Sequence, residues 1–151
     1  MIINIRLGFY RKPTKNKLMH RAIRWWTKSH YSHVQIRVAG TWTSAEQEGV
    51  IEFKYSKEEH AYDRLDYTLE CTEEAFAKYL EFHEDVLGAK YDYTGIVLSQ
   101  ILPLSVDNPN RWFCSEVVTK ILKILGDPKV TKIVKPNDVA PGDLAKIYGV
   151  E

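Results

Sequence analysis

Among the side chains able to do chemistry in this 151-residue chain, Cys114 has the most pointed setting. It lies in Arg111-Trp112-Phe113-Cys114-Ser115-Glu116-Val117-Val118, where a polar loop runs into an apolar segment of helical character. The first backbone N–H groups of a helix have no acceptor within it, and the helix dipole is positive there, so a thiolate is stabilised. The same N–H groups can donate to the oxyanion formed when a thiolate attacks a carbonyl. The plainer reading of Cys114 is a small buried core residue. Cys71, at the end of a short strand with no comparable surroundings, reads as structural.

A thiol nucleophile needs a base. Of the five histidines, His33 is the best placed, in Ser29-His30-Tyr31-Ser32-His33-Val34-Gln35-Ile36. It opens a strand on which Val34, Ile36 and Val38 face one way and His33, Gln35 and Arg37 the other. A strand-borne imidazole beside a helix-borne thiol can take the thiol proton and later protonate a leaving group. His30 should point to the opposite face from His33. His30, His33 and Cys114 lack a fourth close ligand, so neither a metal nor another cofactor is expected.

The elements that must position this pair follow from patterning. Residues 2–10 read as a strand, 15–28 as an amphipathic helix, 31–38 and 41–46 as an antiparallel pair, and 50–53 as a further strand. The polar stretch 54–66 reads as irregular and 67–71 as a short strand. Thr72 caps a helix reaching about Leu87, with Phe76, Leu80, His83 and Leu87 on its apolar side and Gly88 ending it. Residues 103–110 read as a loop and 114–125 as a strongly apolar helix closed by Gly126-Asp127-Pro128. A short helix follows Pro141. Strands joined by hairpins, then helices, predict an α+β fold in one domain spanning 1–151.

Together these pieces resemble a family, the permuted NlpC-type papain-like cysteine hydrolases (the YaeF/YiiX group of permuted amidases), especially short phage-encoded members. The matches run in order: Tyr31-Ser32-His33-Val34-Gln35-Ile36, then Thr43-Ser44-Ala45-Glu46-Gln47-Glu48-Gly49-Val50, Leu87-Gly88-Ala89-Lys90-Tyr91-Asp92-Tyr93-Thr94-Gly95, Trp112-Phe113-Cys114-Ser115-Glu116, and Lys135-Pro136-Asn137-Asp138-Val139-Ala140-Pro141-Gly142-Asp143-Leu144. The resemblance implies a circularly permuted papain-like fold, with an antiparallel sheet packed against the helix that carries the catalytic cysteine. The histidine precedes the cysteine, as that group requires, and catalytic geometry is indifferent to chain order.

The resemblance also implies a third polar residue after the histidine, which orients the ring. Ser44 holds that position, with Glu46 as the same-face alternative. Related sequences often carry an acid there, and a hydroxyl stabilises an imidazolium less than a carboxylate does. Tyr91 matches a position from which an aromatic hydroxyl approaches the oxyanion. Asp92 is a candidate for recognising a substrate amine or for capping the next turn, and Tyr31 is a second candidate substrate contact. Ser115 and Glu116, in the first helical turn, read as satisfying backbone donors and complementing the dipole. The implied activity is cleavage of an amide or peptide bond, with cell-wall peptides one class. Thioester or lipid acyl transfer is a close variant, because the lecithin:retinol acyltransferase-like enzymes share the permuted order.

Composition narrows the choice from another side. With 44% apolar residues the chain can bury a core, and it contains no apolar run near the roughly 20 residues of a membrane span. Its start is too short and too soon charged for a secretory signal, and its two cysteines suit a reducing compartment, so a cytoplasmic location is expected. Residues 1–45 carry nine Lys/Arg and no acid, and every one of the 20 acids lies from Glu46 onward. The asymmetry fits two parts of one fold facing each other. It also leaves open a non-catalytic binding module that engages a host component through Arg21, Arg24, Trp25 and Lys28. No Gly-rich phosphate loop or zinc-finger spacing supports nucleic-acid binding.

Overall fold

Strand β1, Ile2–Tyr10, alternates as expected: Ile3, Ile5, Leu7 and Phe9 are buried, while Ile2 and Asn4 are exposed. Its neighbours are set by register in a computed structural model that describes residues 1–11, 29–46, 49–54, 62–91, 111–112, 114–133, 135–136 and 139–151. β2 (His33–Val38) runs antiparallel to β1, pairing Tyr10 with His33 and Ile5 with Val38. β3 (Thr41–Glu46) returns along β2, and β4 (Gly49–Phe53) along β3. β5 (Tyr62–Glu70) lies on the other side of β1, giving the antiparallel order β4-β3-β2-β1-β5.

β5 corrects the sequence reading, which left 54–66 irregular and began a strand at Tyr67. The described part of that stretch from Tyr62 is strand. Asp63, Leu65, Tyr67 and Leu69 turn partly or wholly inward, and Arg64, Asp66, Thr68 and Glu70 turn to solvent. It is an edge strand, and the charges on its open face hid the period of two. Those charges also answer the asymmetry along the chain. Arg6 pairs with Asp66, Arg11 with Asp63 and His33 with Glu46, each a base from the first 45 residues against a later acid.

Helix α1 (Glu73–Val86) starts where Thr72 accepts a hydrogen bond from the Ala75 N–H at 3.0 Å. Its inward face differs from the predicted one. Tyr79, His83 and Val86 are buried and Leu80 is 47% exposed. The chain then folds back on β4: Val50 donates to the Ala89 carbonyl and Gly88 to the Val50 carbonyl, both at 2.8 Å. Gly49 permits this approach, since it sits at φ +127° and a Cβ there would meet the Ala89 oxygen at 2.6 Å.

Two short strands, β6 (Lys90–Tyr91) and β7 (Arg111–Trp112), pair in parallel and lead to helix α2 (Cys114–Leu125). Val117, Val118, Ile121, Leu122 and Leu125 of α2 are almost wholly buried. At about 1.5–3 kcal/mol for each large apolar side chain removed from water, this face accounts for the docking of α2 across β2 and β3. Helix α3 (Pro141–Ile147) packs against α2. Asp127, buried after α2, accepts from Tyr67 Oη at 2.6 Å and Tyr148 Oη at 2.8 Å, tying β5 to the end of α3. The described architecture is α+β: a five-stranded antiparallel sheet with three helices. The helix read over 15–28 and the loop over 103–110 lie outside the described residues. Among the described residues, no helix is long and apolar enough to cross a membrane.

Candidate active site

The central strand β2 begins at the level of the first residue of α2, and this is where the candidate residues meet. Ser32 donates its backbone N–H to the Tyr10 carbonyl at 3.0 Å, which seats His33 beside its register partner. The rings of Tyr10 and His33 meet edge-on, with centroids 5.2 Å apart. The Tyr10 hydroxyl accepts from Gln35 Nε2 at 3.0 Å. His33 is thereby walled in and only 6% exposed.

Both candidates for the third member reach the same nitrogen. His33 Nε2 lies 2.9 Å from Ser44 Oγ and 3.2 Å from Glu46 Oε1. Ser44 Oγ in turn donates to Glu46 Oε1 at 2.7 Å. With the hydroxyl proton directed to the carboxylate, the serine oxygen is left to accept from Nε2–H. Ser44 is buried, whereas the Glu46 side chain is 37% exposed and keeps contact with solvent.

Cys114 opens α2, 2% exposed, and its side chain hydrogen-bonds to the His33 ring. Burial disfavours the imidazolium. The charge and hydrogen bond of Cys114, followed by those of Glu46, overcome that cost and raise the His33 pKa to about 10. The ring therefore holds its proton at neutral pH.

The remaining candidates fall in different places. Tyr31 is 1% exposed, packed on Phe9 with ring centroids 5.3 Å apart, and its hydroxyl donates to Asp63 Oδ2 at 2.6 Å. Arg11 also reaches Asp63 Oδ2, at 2.7 Å. In this arrangement Tyr31 braces the segment leading into His33. Tyr91 pairs in register with Trp112, two positions before Cys114. Asp92 and the side chain of Tyr91 lie outside the described residues. Ser115 departs from its predicted part as a satisfier of helix donors: its hydroxyl donates to the Val139 carbonyl at 2.5 Å and anchors α2 to the approach to α3. Cys71 is buried, its backbone N–H bonded to the Met1 carbonyl at 2.9 Å.

Sequence reasoning missed a second brace. Glu151 accepts from Ser29 Oγ at 2.6 Å and from the His30 N–H at 3.1 Å, while Ser29 Oγ also accepts from the Tyr31 N–H at 3.0 Å. No local pattern announces a contact across so much chain. It fixes the segment just before His33 against the region of α3. Among the described residues, no three His, Cys, Asp or Glu side chains gather closely enough to hold a metal ion. No protein-family model matches the chain, and no curated protein matches its sequence.

Proposed function

We propose that the chain is a cysteine hydrolase of the permuted papain-like kind, cleaving an amide or peptide bond through an acyl-enzyme on Cys114. The observation that carries this reading is one buried imidazole, His33, joined on one side to a thiol at a helix start and on the other to a hydroxyl–carboxylate pair. Ser44 and Glu46 occupy Nε2, so Nδ1 serves the sulfur.

In the resting pair the proton sits on His33 and the negative charge on Cys114. The sulfur attacks the acyl carbon, and an S–C bond forms as the carbonyl oxygen takes up the charge. The Cys114 backbone N–H, free of any acceptor within the helix, stabilises that oxygen, with Tyr91 as the second donor that the family resemblance suggests. Collapse breaks the C–N bond, and His33 gives its proton to the departing amine. A water molecule then passes a proton to His33 and attacks the thioester. The acid leaves, and the thiolate–imidazolium pair is restored. Ser44 and Glu46 hold the ring in one orientation and support its positive charge throughout.

Cell-wall peptides are the first substrate class to test, followed by a broader panel of peptide amides. Intact-mass analysis during turnover should find the acyl group on Cys114. Cys114→Ala should abolish both the adduct and product formation while the circular dichroism spectrum stays unchanged. Turnover retained by Cys114→Ala would eliminate the reading.

A further inference from the structure

A second site lies on the outer face of the sheet, at the end of β2 away from His33. A groove of about 580 Å³ opens there between the β2–β3 turn and β5, lined by Asn4, Arg6, Arg37, Gly40, Asp66 and Thr68. Register brings its charges together: Arg6 stands opposite Arg37 on one side and Asp66 on the other. Directly opposed like charges on neighbouring strands repel. Asp66 offsets this for Arg6, which it engages through two hydrogen bonds, one of them from Nη2 to Oδ2 at 2.9 Å.

Arg37 has no such relief at Nε. That atom is buried and finds no hydrogen-bond partner among the described residues. A buried charged donor left in this state is costly, and native folds rarely keep one without use. Arg64 completes the cluster. The carboxyl of Asp66 is held below its usual range first by its hydrogen bond to Arg6, against the effect of burial, and then by the charges of Arg6, Arg64 and Arg37. Three guanidinium groups thus surround one carboxylate, leaving two positive charges in excess.

We propose that this groove binds an anion bearing a phosphoryl group. A phosphate dianion matches the excess charge. Its tetrahedral oxygens can accept from Arg37 Nε while turning others toward Thr68 and Asn4, which a planar carboxylate cannot do as readily. The site is independent of the hydrolase reading and would stand if that reading failed.

The test is a titration of the full chain with inorganic phosphate at low ionic strength, with sodium chloride at matched ionic strength as control. The arginine Nε–H signals are followed by ¹⁵N–¹H NMR. The Arg37 Nε–H signal should shift and saturate with phosphate but not with chloride. Arg37→Gln should weaken binding about tenfold, the effect of one charge-assisted hydrogen bond. Asp66→Asn, at an exposed side chain, should tighten it several-fold by removing the competing carboxylate. Co-sedimentation with phosphatidylcholine vesicles containing phosphatidic acid, abolished by Arg37→Gln, would assign the phosphoryl group to a lipid. Saturation by inorganic phosphate without vesicle binding would assign it to a soluble ligand. Equal shifts with chloride would overturn the proposal, as would phosphate binding unchanged in Arg37→Gln. If Arg37→Gln does not fold, Asp66→Asn decides, and unchanged or weaker binding there would count against the site.

Discussion

The hydroxyl of Ser44 donates to Glu46, two residues further along the same strand, at 2.7 Å. Alternation places residues i and i+2 on one face, and here that spacing makes a two-member support for a single nitrogen of His33. The two residues are not rivals for one role. The serine is the buried contact, and the carboxylate behind it supplies the charge that serine lacks.

Ser44→Ala and Glu46→Gln should therefore act as one unit. Each single change is expected to lower kcat by about 10- to 100-fold, and the double variant little more than the worse single, as residues acting through one partner do not add. A double-mutant cycle on kcat measures this. Fully additive losses would mean that the two act separately.

Cys114 should react with iodoacetamide at neutral pH because its proton resides on His33. His33→Ala is expected to slow labelling at pH 7 by at least about tenfold, the sense required of a base-activated thiol. Cys71 labelling under partly denaturing conditions gives the internal reference. Equal rates in wild type and His33→Ala would remove the functional coupling of the pair.

The His33 ring should titrate near 10 by NMR, against an ordinary value of 6.5. Cys114→Ala removes the principal cause of the rise and leaves burial opposed mainly by Glu46, so the pKa should fall. The sign for stability follows. Above about 6.5 the unfolded chain releases a proton that the folded state still holds, so this group's contribution is complete below that pH and is lost as pH climbs toward 10. A ring that titrates near 6.5 in both proteins would contradict the pairing.

Asp127 is a structural counterpart, a buried carboxylate that accepts from two tyrosines. Burial and hydrogen bonding to Asp127 keep both phenols protonated well above their ordinary range. Asp127→Ala should cost about 3 kcal/mol by leaving two buried hydroxyls without their acceptor. Urea unfolding of the variant measures it. The His33 titration should be unmoved, because no contact joins the two clusters.

Gly49→Ala tests how the segment after α1 reaches the site. The added Cβ would meet the backbone oxygen of Ala89 at 2.6 Å, in a conformation that alanine rarely adopts. A loss of at least about 2 kcal/mol is expected, from strain and clash together. Thermal unfolding checks it.

The reacting pair was legible because its signals are local: a thiol where polar loop meets apolar helix, and a histidine opening an alternating strand. The four central strand regions and the helix at Cys114 were legible for the same reason. The division of labour between Ser44 and Glu46 was not, since alternation gives a shared face but not the order of contact. β5 was obscured because Arg64 and Asp66 serve as the outer face of an edge strand and look like loop residues in isolation. The inner face of α1 was misassigned because Leu80 is apolar yet exposed, while Tyr79 and His83 bury rings that carry polar atoms. The clamp of Glu151 on Ser29 has no sequence signature, since only the folded chain brings those residues together.

The order of elements along the chain has a further consequence for when activity can arise. β1 is flanked by β2 and by β5, so the sheet that seats His33 stays incomplete until residue 70 has been made. The thiol follows only with α2, whose apolar face has no surface to dock on until that sheet exists. A pairing of such long sequence separation forms late in folding, after the loop-closure entropy has been overcome. Latency is thus written into the connectivity: a growing chain carries its base long before its nucleophile, and no early fragment can hydrolyse anything by this chemistry.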